Sequence, residues 1–273
     1  MNTIRSFTTN QPVLFVLSVA IAWLVLALVF TGFASSALHQ PYAGAVTGTI
    51  GRLAAAACTL WLVWRLGWLE ASGVTRLGGW QVWLLTLGGL AYFTCASLYA
   101  VYGKVAFDVS AITRSPDSGA VVMTQLMVSL GEEILFRGLV LYALARVWGN
   151  TTVGLVGSVM LTSLLFATMH ISHVFTHGAP LASALVLTLE TFVISIWWGA
   201  LVLYGGSIWP AVALHFFVNT VVALQGLVVP MIQPAIQANQ RLLGFGFLLG
   251  LLAIGLLAQA GSGHTLPEVS WER

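Results

Sequence analysis

The sequence predicts an all-α, polytopic integral membrane protein with about eight transmembrane helices and a polar active site inside the bundle. Of its 273 residues, 59% are hydrophobic and only 7% are charged, against roughly a quarter charged in an ordinary soluble domain. The apolar residues fall into uncharged runs near the ~20 residues that a helix needs to cross the hydrocarbon core. Short loops separate these runs, so the composition excludes a water-soluble globule.

The apolar runs follow one another without an internal repeat, so one transmembrane domain over residues 1–273 is the simplest organisation. The first run follows Arg5 and is longer than the roughly 7–15 residues of a signal-peptide core, so we interpret it as a retained helix. The fourth run is apolar apart from a charged cluster near its middle. The predicted spans are 12–33, 46–69, 80–102, 119–148, 153–172, 181–204, 207–229 and 242–260.

Several residue types that carry function in other proteins have simpler interpretations here. The net charge is +2 and the basic residues are scattered, so no basic stripe exists that could bind nucleic acid. Basic residues flank alternate spans almost evenly, which leaves the orientation nearly undetermined. Cys58 and Cys95 lie in apolar runs and are interpreted as small buried hydrophobic residues. The tryptophans near span ends indicate an interfacial belt: Trp61, Trp64, Trp68, Trp80, Trp83, Trp148 and Trp209.

Polar residues inside the spans are the candidates for function, because a charged group at the centre of a membrane helix costs about 2.5–3.5 kcal/mol on insertion scales. They are Glu132, Glu133, Arg137, His170, Glu190, His215 and Asn219.

The first group lies in the segment Gly131-Glu132-Glu133-Ile134-Leu135-Phe136-Arg137. On an α-helix Glu133 and Arg137 are i,i+4 neighbours, so the spacing predicts an ion pair that offsets much of the burial cost. Glu132 points elsewhere, about 140° round the helix from Arg137 at about 100° per residue. Glu132 is therefore left to hold a water molecule or a proton. A buried triad that only fixes helix packing is the alternative interpretation.

The other two groups lie on separate spans. His215 and Asn219 are also i,i+4 neighbours, so both can donate hydrogen bonds to one oxygen, although bridging between helices is an equal alternative. His170 alone is more typical of a hydrogen-bonded core residue. Together, a carboxylate pair, a histidine and a His/Asn pair are the groups that water-activated hydrolysis requires.

Other chemistries fit less well. His170, His173 and His177 would form a metal-binding face on a continuous helix, but Gly178 and Pro180 follow directly. Glu190 has no basic residue within one turn, so its role stays open. The metalloprotease motif H-E-x-x-H and the hydrolase motif G-x-S-x-G are both absent from the sequence, which removes two ordinary hydrolase classes.

Three motifs occur in order on separate spans: Glu132-Glu133-x-x-x-Arg137, Phe166-x-x-x-His170 and His215-x-x-x-Asn219. Together they resemble the CPBP family of intramembrane proteases. This family is also called the CAAX protease and bacteriocin-processing, or Abi, family, and its eukaryotic member is the type II CAAX prenyl endopeptidase. The stretch 199–211, which leads into His215, resembles the family as well. The resemblance covers about residues 119–224, the predicted protease motif core.

The resemblance implies an eight-helix membrane endopeptidase whose active site opens to the cytoplasm. It implies that Glu132 and His170 activate water and that His215 and Asn219 form the oxyanion hole, with Glu133 and Arg137 in support. A glutamate mechanism without a cofactor is favoured over a zinc enzyme.

The implied partner is a peptide or lipidated protein, prenylated in some family members, whereas the oligomeric state is not specified. Two alternatives remain. One is a non-catalytic binding or bacteriocin-immunity protein of the same fold, and the other is a proton-coupled transporter that uses Glu132, Glu133 and Glu190.

Overall fold

The computed structural model describes residues 2–37, 43–102, 118–176, 178, 180–228 and 255, and the regular elements in these ranges are all helical. We number the α-helices α1 to α10 in chain order. A π-helix over Ile134–Leu141 joins α5 to α6, and a 3₁₀ turn over Met169–Ser172 joins α7 to α8. The α-helices are α1 (Asn2–Asn10), α2 (Pro12–Ala37), α3 (Ala43–Leu66), α4 (Trp80–Tyr102), α5 (Ser118–Glu133), α6 (Tyr142–Trp148), α7 (Thr152–Thr168), α8 (His173–Thr176), α9 (Leu181–Gly205) and α10 (Trp209–Val228).

Four helical stretches in the described ranges are long and apolar enough to cross a membrane: Pro12–Ala34, Ser118–Trp148, Thr152–Ser172 and Leu181–Gly205. Shorter apolar helices cover Trp80–Ala91 and Trp209–Leu224. The all-helical membrane fold is therefore supported, while the predicted number of eight spans is not established. The predicted span 242–260 lies outside the described residues except for Gly255.

Helices α2 and α3 form a close pair because small residues lie between them. A Cβ atom on Gly51 of α3 would collide with the side chain of Thr31 and the carbonyl oxygen of Ala27 on α2. Ala55, one turn after Gly51, is fully buried. Small residues at a helix interface let two backbones approach, which is how membrane helices gain packing contacts without a hydrophobic driving force.

The π-helix forms the centre of the molecule. All eight of its residues are buried, and the core continues into α6 and into the facing parts of α9 and α10. An α-helix was predicted for this segment. The π-helix has a wider turn, so the predicted angle of about 100° per residue does not hold here. π-helical turns are rare and frequently occur at functional sites.

A surface loop fixes the position at which α10 begins. Gly73 has a φ of 80°, a left-handed conformation that glycine adopts without strain. Its carbonyl oxygen accepts a hydrogen bond from the backbone N–H of Ile208 (3.2 Å). The indole N–H of Trp209 donates to the carbonyl oxygen of Val74 (3.0 Å). The loop over residues 67–79 therefore holds the start of the helix that carries His215.

Two expectations about single residues were wrong. Cys58 is exposed rather than buried, because the outer face of a membrane helix is as apolar as its inner face and hydropathy does not separate them. Trp68 is fully buried and packs against Tyr142 at 5.1 Å between ring centres, so it is not part of an interfacial belt. The side chain of Cys95 lies outside the described residues.

Candidate active site

A buried ion pair lies at the centre of the polar cluster. Nη1 of Arg137 is 2.9 Å from Oε1 of Glu133, and both side chains are fully buried. Nη2 of Arg137 donates a 2.8 Å hydrogen bond to Oγ of Ser195 on α9. The i,i+4 pair predicted from the sequence is therefore present, although the π-helix carries Arg137. Two of its nitrogens are engaged with neighbouring groups, as a buried charge requires.

His215 joins the same carboxylate from α10. Its Nδ1 lies 2.8 Å from Oε1 of Glu133. Because an ionised carboxylate only accepts hydrogen bonds, Nδ1 is the donor. One oxygen of Glu133 thus accepts from both Arg137 and His215, and this fixes the orientation of the imidazole ring.

Glu132 lies on the other side of the same imidazole. Its Oε2 is 3.8 Å from Nε2 of His215, and the Glu132 side chain is 17% exposed whereas that of Glu133 is completely buried. A separation of 3.8 Å is too long for a hydrogen bond. The two adjacent glutamates are therefore in different environments: Glu133 is bound by two partners, whereas Glu132 is partly exposed and lies beside His215 without a hydrogen bond to it.

Two aromatic rings enclose the basic groups of the cluster. The indole of Trp198 stacks on His215 with ring centres 4.9 Å apart, and Phe166 contacts His215 edge-on at 5.7 Å. The guanidinium carbon of Arg137 lies 4.6 Å from the ring centre of Phe166 and 5.6 Å from that of Trp198. Cations over aromatic faces are stabilised by the ring quadrupole, so these rings stabilise the guanidinium of Arg137.

His170 reaches the cluster through Phe166. Its ring packs edge-on against that of Phe166 at 5.3 Å, and its Nδ1 is 3.3 Å from the carbonyl oxygen of Phe166. The carbonyl can only accept, so Nδ1 carries the proton and the lone pair of a neutral ring is on Nε2. His170 is close enough to Glu132 and His215 to interact electrostatically with both.

Asn219 lies one turn beyond His215 on α10 and is partly buried. Among the described residues its side chain makes no hydrogen bond. The alternative interpretation was that the His215/Asn219 pair bridges two helices. In the described part of the chain, no hydrogen bond of the Asn219 side chain supports it.

The remaining polar candidates are not brought into the cluster. Oε1 of Glu190 is buried, and it has no hydrogen-bond partner in the part of the chain that the structure describes. His170 belongs to the 3₁₀ turn and His173 begins α8, but the His173 side chain and all of His177 lie outside the described residues. Within those residues no three His, Cys, Asp or Glu side chains are grouped to hold a metal ion.

Sequence reasoning missed two neighbours of the cluster, Ser195 and Trp198. Both are buried on α9. A signal was available, since Trp197 and Trp198 lie in the middle of a predicted span, where an interfacial role does not apply. Their partners could not be read from the sequence because the contacts join different helices.

Comparison with known proteins identifies the segment that carries the cluster. Residues 115–221 match the family model described as Type II CAAX prenyl endopeptidase Rce1-like. This segment is less than half of the chain, and it includes all six predicted site residues together with Phe166, Ser195 and Trp198. No curated protein and no solved structure matches the chain. The family relationship predicted from the three motifs is thus confirmed over residues 115–221, which match the Type II CAAX prenyl endopeptidase Rce1-like family.

Proposed function

We propose that the protein is an intramembrane endopeptidase that hydrolyses a peptide bond of a membrane-associated peptide or lipidated protein, with water activated by Glu132. The main support for this proposal is that the two glutamates differ in burial and in hydrogen-bond partners. Glu133 is fully buried and bound by Arg137 and His215, whereas Glu132 is partly exposed and has no hydrogen-bond partner in the cluster. A general base needs such an accessible carboxylate within reach of the reacting water.

The reaction begins when Glu132 takes a proton from a water molecule that His170 helps to orient through Nε2. The water oxygen then bonds to the carbonyl carbon of the substrate, and the carbonyl oxygen becomes an oxyanion. His215 and Asn219 donate hydrogen bonds to this oxyanion. When the tetrahedral intermediate collapses, the C–N bond breaks and the proton held by Glu132 passes to the leaving amine.

The environment of His215 supports its role as a donor. Nδ1 is already engaged with Glu133, so Nε2 can donate to an oxyanion only if the ring is doubly protonated. The proposed donor role therefore takes the imidazolium form of His215. The stacked indole of Trp198, 4.9 Å from the ring centre of His215, further stabilises that cation.

The proposed mechanism uses no metal ion. The alternative is a zinc enzyme, in which a metal-bound water replaces the water held by Glu132. A chelator separates the two, because metal removal would abolish only the second mechanism.

The test is cleavage of a panel of fluorogenic peptides, prenylated and unmodified, by the purified protein in detergent micelles, with Glu132→Gln as the blank. We expect cleavage by the wild-type protein that survives a chelator and disappears in the variant. Activity lost on chelation would overturn the metal-free mechanism. Equal signals from the wild-type protein and the variant, with every peptide, would instead favour the non-catalytic binding function.

A further inference from the structure

We propose that an open groove beside the C-terminal half of α3 is a binding site for an anionic phospholipid. The groove has a volume of about 510 Å³, which lies within the range of roughly 300–1,000 Å³ for pockets that hold small ligands. Its lining is apolar apart from Thr75 and consists of Ala57, Leu60, Trp61, Trp64, Leu69, Val74 and Thr75. Such a lining suits a hydrocarbon chain.

The tryptophans indicate the depth of the groove in the bilayer. Trp61 and Trp64 are 60% and 57% exposed and lie within the last two turns of α3, which ends at Leu66. Helix α3 overlaps the span 46–69 that the sequence predicts, and tryptophan side chains at the ends of membrane helices lie at the level of the lipid headgroups. The groove therefore begins at the headgroups and continues along the first part of the acyl chains.

Arg65 gives the groove a positive rim. Its guanidinium carbon is 5.8 Å from the ring centre of Trp61 and 6.0 Å from that of Trp64. No carboxylate in the described ranges forms an ion pair with it. An arginine without a counter-ion binds a phosphate group through a pair of parallel hydrogen bonds. The headgroup of an anionic lipid has a net negative charge that Arg65 attracts. A zwitterionic headgroup carries its own cation, so its attraction to Arg65 is weaker.

The choice of a lipid over a protein segment rests on this combination of charge and location. The rim is cationic, the lining is apolar, and two of the lining residues, Trp61 and Trp64, are exposed on α3. One phosphate with an attached acyl chain satisfies both parts of the groove.

The groove lies close to the catalytic helices. Val74, which lines it, packs against the π-helix so closely that a Cβ on Gly138 would be 3.1 Å from its Cγ2 atom. Gly138 follows Arg137 directly, and the carbonyl oxygen of Val74 accepts the hydrogen bond that positions Trp209 at the start of α10. A lipid in the groove therefore packs against the residue that contacts both helices.

The first experiment counts lipid adducts by native mass spectrometry of the purified protein with phosphatidylglycerol or phosphatidylcholine of identical chains. We expect phosphatidylglycerol to be preferred and Arg65→Gln to weaken its binding about fivefold. Arg76→Gln is the matched control: Arg76 carries the same charge in the neighbouring loop, whereas it is the guanidinium of Arg65 that lies over Trp61 and Trp64. Equal binding of the two lipids, or equal losses in the two variants, would overturn the proposal.

The second experiment fills the groove without changing its charge. Ala57→Phe places a ring inside the groove. The control is Leu53→Phe, which lies one turn earlier on the same helix face and outside the lining. Both positions are exposed. We expect Ala57→Phe to reduce the quenching of tryptophan fluorescence by phosphatidylglycerol with brominated chains, and Leu53→Phe to leave it unchanged. Unchanged quenching in Ala57→Phe, or a dimer that only this variant dissociates, would contradict a lipid occupant. Neither experiment requires peptidase activity, so its outcome is independent of the proposed function.

Discussion

Glu132 and Glu133 are identical side chains at adjacent positions, and their neighbours give them different chemistry. Glu133 accepts hydrogen bonds from Arg137 and His215 at 2.9 and 2.8 Å. A carboxylate with two such partners is held in one orientation, which suits a group that positions other groups. Glu132 has no bound partner in the cluster and is partly exposed, so it can accept and release a proton during the reaction.

Removal of Arg137 tests the structural half of this division. Arg137→Ala leaves Glu133 buried without its cation, and breaking a buried pair in this way costs about 3–5 kcal/mol. We expect a correspondingly lower free energy of unfolding, measured in micelles with a denaturant. Arg76→Ala removes an exposed arginine and serves as the control with little expected change. An Arg137→Ala protein as stable as the wild type would show that Glu133 does not depend on the ion pair.

Asn219 is predicted to act on the rate alone. Its side chain makes no hydrogen bond within the described residues, so we expect Asn219→Ala to leave the unfolding midpoint unchanged. We expect the cleavage rate to fall about 10²–10³-fold, the usual effect of losing one oxyanion donor. Thr220→Ala, at the next position, is the control and should retain the wild-type rate. A fall in stability without a fall in rate would place Asn219 in packing rather than in the site.

At the level of helices, the cluster depends on the contact between α4 and α9. A Cβ on Gly89 of α4 would collide with the indole of Trp197, which is almost completely buried on α9. Trp197 precedes Trp198, the residue that stacks on His215. The close contact between α4 and α9 therefore lies next to the residue of α9 that stacks on His215.

Two neighbouring glycines provide a matched test of that contact. Gly89→Ala forces its methyl group into the indole, and overpacking of this kind costs about 1–3 kcal/mol. Nothing lies within 4 Å of a Cβ built on Gly88, so Gly88→Ala should keep or raise the stability because alanine favours the helix. The measurement is the unfolding midpoint of each variant, which we expect to be lower for Gly89→Ala than for Gly88→Ala. Equal midpoints would show that α9 moves away from the new methyl group without a loss of stability.

The sequence predicted the helices better than their contacts. Seven of the predicted spans overlap helices of the structure, because length and apolarity alone define a membrane helix. The i,i+4 spacing correctly predicted the ion pair of Glu133 and Arg137. The π-helix and the contacts of Ser195 and Trp198 could not be predicted, because they depend on how distant segments pack. Likewise, hydropathy did not distinguish the exposed Cys58 from a buried position, since lipid and core are equally apolar.

At the scale of the whole molecule, three candidate spans follow one another along the chain: Ser118–Trp148, Thr152–Ser172 and Leu181–Gly205. Helices joined by short connections run in opposite directions. The connections 149–151 and 206–208 should therefore lie on one side of the membrane, and the connection 177–180 on the other.

Labelling of single cysteines tests this arrangement. In a background with Cys58 and Cys95 replaced by serine, we expect Thr75→Cys and Thr151→Cys to react with a membrane-impermeant maleimide from the same side, since the loop over 67–79 is bonded to the start of α10. Ala182→Cys, near the start of α9, should react only from the opposite side. Reaction of all three positions from one side would contradict the alternating spans.

The central claim is that Glu132 activates the water, and the most direct measurement is the cleavage rate of Glu132→Gln at matched protein concentration and verified folding. Glu190→Gln is the control, because it makes the same change to another intramembrane glutamate outside the cluster. We predict that the cleavage rate of Glu132→Gln falls by at least about 10²-fold, the contribution of a general base, while its unfolding midpoint is unchanged. Glu190→Gln should cleave at the wild-type rate. A Glu132→Gln protein that cleaves at the wild-type rate would contradict the account.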